Sequence, residues 1–136
     1  MDLDRALNVS AAGMAAQSTR LRVVAENMAN QDTTGNAPGT DPYRRKTVTF
    51  ANRLDRELGV QTVRAQRIGT ASCEFPEHYE PAHPAADARG YVRTPNVDSL
   101  VEMMDMREAQ RSYSANLSVL ETTRSMLLRT IESLRG

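Results

Sequence analysis

All six prolines of this 136-residue chain lie between positions 38 and 95. Proline inside a helix removes a backbone hydrogen bond and clashes with the preceding turn, at about 3 kcal/mol or more. Its confinement to the middle therefore leaves two long ends free to be helical. Residues 1–34 contain neither proline nor an aromatic side chain, and residues 96–136 contain no glycine before Gly136. The middle, residues 35–95, also holds both histidines, Cys73 and five of the seven glycines. The expected organisation is helix over 1–34, an irregular β-rich insert over 35–95, and helix over 96–136.

Both ends repeat with a period of seven. Leu7, Met14, Leu21 and Met28 form one row, with the small residues Ala11, Ser18 and Ala25 midway between them. At the other end Met106, Tyr113, Leu120, Leu127 and Leu134 form a row, and Met103, Leu117 and Ile131 a second one, interrupted by Gln110 and Arg124. Such spacing places each set along a narrow seam of one helix. Helices over 3–30 and 99–135 would be about 42 and 55 Å long. Asp2 or Asp4 can cap the first; Asn30, Thr33, Thr34 and Gly35 end it. Ser99 and Glu102 have the spacing of a capping box for the second. The fold class is mainly α with a small β-rich insert, the long terminal helices pairing as a coiled coil, parallel or antiparallel. Val23, Leu100, Val119 and Leu128 lie off the seams and would stay wet in a monomer, which points to neighbouring chains.

In the insert, Thr47–Phe50, Val60–Val63 after Gly59, and Gly90–Thr94 read as strands. Residues 40–70 carry a basic excess and residues 71–100 an acidic one. These opposed charges can pair within the domain or head-to-tail between subunits.

Several function classes are argued against. Lys+Arg and Asp+Glu both number 17 and aromatics make up 4% of the chain, so neither phosphate neutralisation nor base stacking has a basis. The one basic cluster, Arg44-Arg45-Lys46, reads as a solvated strand edge. No apolar run approaches the roughly 20 residues of a membrane span, so membrane insertion is not expected. The start, Met1-Asp2-Leu3-Asp4-Arg5, carries acids where a secretory signal has its positive region. Cys73, His78, His83 and Asp87 lack the paired spacing of a metal site, and Pro76, Pro81 and Pro84 pin the histidines in a loop. Residues 35–40 form a glycine-bearing loop without the lysine of a phosphate cradle. Ser10 and Ser112 have no partnered base. The expectation is a non-enzyme with no cofactor or metal. From the residues alone, a polymerising subunit and an adaptor coiled coil that binds one partner helix both remain open.

Five stretches carry a family resemblance. Asn8-Val9-Ser10-Ala11-Ala12-Gly13-Met14, followed by Ala25-Glu26-Asn27-Met28-Ala29-Asn30-Gln31-Asp32-Thr33, resembles the N-terminal signature of bacterial flagellar rod and hook proteins. Pro42-Tyr43-Arg44-Arg45-Lys46 through Phe50, and His83-Pro84 through Gly90-Tyr91-Val92 to Pro95-Asn96-Val97, are similar to the proximal rod members of that family. So is the tail from Glu102-Met103-Met104-Asp105-Met106 to Asn116. Ala85 stands where the family usually has Asp. The resemblance implies a structural subunit of the flagellar basal body that assembles with itself and with other rod proteins, near MS-ring-adjacent components. It implies export by the flagellar type III apparatus without a cleaved signal, and assembly into the periplasmic drive shaft. It also implies that the helices form an inner tube with the insert outside. Met103, Met106, Leu117, Leu120 and Leu127 would then hold the seam, and Asn27, Asn30 and Thr33 would shape the turn out of the first helix.

Overall fold

The computed structural model describes residues 3–136. Helix α1 runs from Leu3 to Ala29 and helix α2 from Ser99 to Arg135, 27 and 37 residues long. Between them lie β1 (Lys46–Asp55), β2 (Val60–Thr70), β3 (Glu77–Tyr79) and β4 (Tyr91–Arg93). The two helices lie inside the proline-free ends and match the 3–30 and 99–135 spans to within a residue. Asp2 lies outside the described residues, and Asp4 already sits in the first turn of α1, where its carbonyl accepts from the Asn8 amide. At the other end the Asn30 amide donates to the Glu26 carbonyl at 2.9 Å and closes the helix.

The capping box is replaced by a simpler cap. Asp98 is the N-cap of α2, its carboxylate accepting from the Leu100 and Val101 amides at 2.9 and 3.4 Å. A carboxylate there also complements the positive end of the helix dipole. Glu102 cannot reach back, because its side chain points into the protein.

The helices pack antiparallel. Gly13 lies against Asn116, Arg20 pairs with Asp105, and Asn27 pairs with Glu102, so partners on α2 recede as α1 advances. In this register α1 begins opposite roughly residue 126, at 1.5 Å rise on both helices. The last turns of α2 run past it, and every residue over 124–136 is exposed.

The heptad rows mark the helices but not the face buried within one chain. On α1 the buried residues are Ser10, Gly13, Ala16, Val23, Val24 and Asn27; on α2 they are Glu102, Ala109 and Thr123. Leu7, Met14, Leu21 and Met28 are half-buried along the margin, whereas Ala11, Ser18 and Ala25 are exposed. Met106, Tyr113, Leu117 and Leu120 are likewise half-buried, and Met103, Leu127, Ile131 and Leu134 are exposed. Close approach of two backbones selects a row of small residues, and the larger neighbours fold over its edges. An ideal Cβ on Gly13 would lie 2.9 Å from the Asn116 amide group. Val23, expected to stay wet, is buried, while Leu100, Val119 and Leu128 are exposed.

β1 and β2 form an antiparallel hairpin from Lys46↔Thr70 to Asp55↔Val60, with a bulge between Thr49 and Phe50. An isolated two-stranded ribbon is marginal in water; here it lies on α1. Gly59, with φ of 63°, turns the hairpin close to Arg5 near the start of α1. The strands are longer than their β-branched cores. β3 escapes the sequence reading because Glu77-His78-Tyr79 has no apolar alternation and is exposed throughout. It pairs with β4, and Tyr79 meets Tyr91 edge-on at 5.4 Å. Gly90 completes this corner: its φ is 84°, and a Cβ would lie 2.8 Å from the Tyr79 ring.

Candidate functional site

The end of α1, the start of β1 and the start of α2 meet in a buried polar junction. Asn27, 1% exposed, uses all four hydrogen-bonding positions of its amide. Its nitrogen donates to the Lys46 carbonyl at 2.9 Å and to the Glu102 carboxylate at 3.2 Å. Its oxygen accepts from the Tyr43 hydroxyl at 2.8 Å and from the Lys46 amide at 2.9 Å. The side chain thereby pairs with the Lys46 peptide as a neighbouring strand would, and so fixes where β1 begins.

Glu102 is fully buried. The Arg45 guanidinium donates to its other oxygen and reaches Asp105 at 3.2 Å. Asp105 in turn accepts from Arg20 on α1. A buried carboxylate is tolerable only when paired and hydrogen-bonded, and this one is both. The Arg45 amide donates to the Asn96 side chain at 2.8 Å, and Asn96 donates to the Cys73 carbonyl at 3.1 Å. One arginine, directly before the first strand, thus ties α2 to the segment entering it, and its two carboxylate partners carry the link on to Asn27 and Arg20 of α1.

The basic cluster is therefore not a solvated edge. Arg44 donates to the Ala71 and Cys73 carbonyls and stacks 4.3 Å over the Phe75 ring. Lys46 pairs with Glu26. Burial, and then the charges of Glu26 and Glu102, push the Tyr43 hydroxyl above its ordinary pKa.

Of the sequence-singled motif residues, Asn27, Tyr43, Arg45 and Asn96 converge on this junction, with Arg44 beside it. Asn30 and Thr33 close the turn, the Thr33 hydroxyl donating to Asn30 at 3.1 Å. Pro95 is buried just before Asn96. Gly90 and Tyr91 build the separate β3–β4 corner. There Asp87 accepts from the Tyr91 and Arg89 amides at 3.0 and 2.8 Å, and these hydrogen bonds, that of Tyr91 foremost, hold its carboxyl below the usual range. His83 accepts from the Ala85 amide at Nδ1, so a neutral ring carries its proton on Nε2, facing the Thr34 hydroxyl at 3.3 Å. Arg20, and the buried pairing of Glu102 that sequence reasoning took for a capping residue, are what it missed; a charge facing inward from a helix seam is the signal that points to them.

A cleft of about 370 Å³ opens beside the junction, lined by Arg20, Val24, Arg45, Phe50, Glu102 and Asp105 among others. Each of its charged groups is already engaged by another. The arrangement is a clamp in the geometric sense: it ties the two helices to each other and to the start of the insert.

A clamped pair of terminal helices with exposed apolar flanks defines a structural assembly subunit. Two family models match it: flagella basal body rod protein over residues 7–35, and flagellar basal body rod FlgEFG protein C-terminal over 88–133. The chain is 50% identical to the flagellar basal-body rod protein FlgC of Agrobacterium fabrum, over 98% of this chain and 96% of that one. It is 41% identical to the FlgC of Salmonella typhimurium over 96% and 97%, and 37% identical to that of Bacillus subtilis over 93% and 94%. The chain belongs to the flagellar basal-body rod protein FlgC family. These relatives are structural rod proteins, which does not favour the adaptor reading.

Proposed function

We infer that this chain is a structural subunit of the flagellar basal-body rod, with no enzymatic role, which polymerises through its terminal helices. The observation that carries this is the apolar surface a single chain leaves open: Met126, Leu127, Leu128, Ile131 and Leu134 on the part of α2 that runs past α1. The row Leu7, Met14, Leu21, Met28 and the half-buried Met106, Tyr113, Leu117 and Leu120 border the same pair and extend the surface offered to neighbours. In the assembled rod the helices line the inside as a coiled-coil layer and the insert lies outside, its angle set by the Asn27–Glu102–Arg45 clamp. The proposal extends to export by the flagellar type III apparatus, to a periplasmic position in the proximal rod, and to contact with MS-ring-adjacent components. A shallow core favours passage through a narrow channel: among the described residues the buried apolar side chains are Ala16, Val23, Val24, Val92 and Ala109, all small. The test is Leu134→Asp in cells lacking the native chain. Leu134 is 84% exposed, so the monomer should fold unchanged. Motility and rod assembly should be lost while export continues; normal swimming would overturn the reading.

A further inference from the structure

The β1–β2 ribbon is ordered without a core of its own. No residue over 46–70 is buried, and the apolar side chains Val48, Phe50, Val60 and Val63 are only half-buried. The ribbon lies on α1; among the described residues, α2 packs against neither of its strands. A two-stranded ribbon is marginal in water and carries two unpaired edges on which other chains can pair. Its start is nevertheless specified atom by atom. The Lys46 N–H donates to the Asn27 oxygen and the Lys46 carbonyl accepts from the Asn27 nitrogen, each at 2.9 Å. One residue earlier, the Arg45 carbonyl accepts from the Ala71 amide at 2.8 Å and extends the ladder.

This template works in only one orientation of the Asn27 amide. Turned over, the amide would set its NH2 group against the Lys46 N–H and its oxygen against the Lys46 carbonyl. Donor would then face donor, and acceptor face acceptor. The Tyr43 hydroxyl cannot make the choice, since a hydroxyl both donates and accepts. Glu102 can. A carboxylate only accepts, so Glu102 holds the nitrogen side of the amide, at 3.2 Å. It reaches that point only when α2 lies against α1.

We propose that Glu102 makes the ribbon conditional on helix pairing. By orienting the Asn27 amide, α2 sets the register of a hairpin it does not pack against, so the strands order with the helical pair and not before it. The device keeps a bare ribbon with open edges from standing free in a chain whose ends are still apart. Glu102 is a positioning residue here, acting through Asn27.

The experiment is hydrogen exchange on the full chain and its variants. Glu102→Gln keeps the side-chain volume but turns an NH2 group toward Asn27 or Arg45, both of which donate at this point. Amides over 48–68 should lose protection by about tenfold, the effect of losing one hydrogen bond to a charged group. Ala109→Gly loosens the helix contact at a buried position away from the junction. It should leave the ribbon amides unchanged, because a ribbon without a core opens before the helices part. Asn27→Ala should match Glu102→Gln, and the double variant should fall no further than the lower of the two. Ribbon protection untouched by Glu102→Gln, or lowered equally by Ala109→Gly, would overturn the proposal. Additive losses would overturn it as well, since Glu102 would then act through Arg45 instead. Should a variant not fold, the unaltered chain decides. In pulse-labelled refolding from urea, amides over 48–68 should gain protection no earlier than those over 102–120, and a ribbon protected first would show that it needs no helix pair.

Discussion

Removing the Glu102 carboxylate strands several groups at once. Glu102→Ala leaves the Arg45 guanidinium with Asp105 alone and one Asn27 N–H without its partner in a largely buried site. Breaking a buried pair from one side costs about 3–5 kcal/mol, and we expect a loss near the low end because Arg45 is 24% exposed. Urea unfolding of the purified chain measures it; a loss below about 1 kcal/mol, the level of a surface pair, would show that the junction carries little. Tyr43 gives the pH signature of the same site. Its pKa is raised from 10.0 in the folded chain, so the folded state holds the proton more tightly than the unfolded one. The stabilisation is full below pH 10 and is lost as pH rises through the folded value. Thermal unfolding should therefore fall on the alkaline side, and Tyr43→Phe should flatten that fall while losing about 1 kcal/mol at neutral pH. At this scale the sequence was only half legible. The motifs single out Asn27, Tyr43, Arg45 and Asn96, but Asn27 reads as a turn former because its partners Lys46 and Glu102 stand 19 and 75 residues away. Glu102 reads locally as a capping residue, and a more distant arginine takes it.

Gly13 sets how closely the two helices approach. A methyl group there meets the Asn116 amide at 2.9 Å, and that amide is held by its own bond to the Ser112 carbonyl. Overpacking costs about 1–3 kcal/mol, against a helix-propensity gain of about 1 kcal/mol for Gly to Ala. Gly13→Ala alone should therefore lower stability. Placed on Asn116→Ala, which clears the space, the same change should raise it by about 1 kcal/mol, because only the propensity term remains. A double-mutant cycle reads this directly, and additive effects would mean that the contact does not limit the approach. The elements themselves were legible: absence of proline and a period of seven place α1 and α2 within a residue. The buried face was not. Large residues make the heptad visible, but backbones come together over Gly13, Ala16 and Ala109, which carry almost no hydropathy signal. The hairpin showed a related limit. β-branched runs locate Thr47–Phe50 and Val60–Val63, whereas the outer halves of both strands are polar and owe their pairing to the register begun at those cores.

Helix, insert and helix in chain order follow from where the prolines lie, but heptads have no direction, and parallel or antiparallel pairing is equally compatible with them. Polar contacts decide it. Asn27 with Glu102 at one end and Arg20 with Asp105 and Glu108 further along are possible only in the antiparallel arrangement. The same contacts divide the molecule into unequal parts. Near the junction the helices hold each other, α1 is also tied to Lys46 at the start of β1, and α2 to Arg45 just before it. Toward the C-terminus α2 outruns its partner, and over 124–136 no side chain is even half-buried. An unsupported helical end of about ten residues is too short to be stable on its own, since nucleation is costly and helical stability in proteins comes mostly from packing. Opening free energies should therefore form a gradient along one helix, from near zero at the tail to the global value at the junction. In hydrogen exchange on dilute monomer, amides over 126–135 should exchange with almost no protection, while those over 102–120 and 13–27 exchange slowly. On polymerisation the tail should gain the most protection, because the neighbour that covers Leu127, Ile131 and Leu134 also orders the backbone beneath them. Strong protection of the tail before assembly would mean that α2 is self-supporting, and that ordering contributes nothing to the cost of assembly. Protection appearing instead along 13–27, with the tail still open, would place the growing contact on α1.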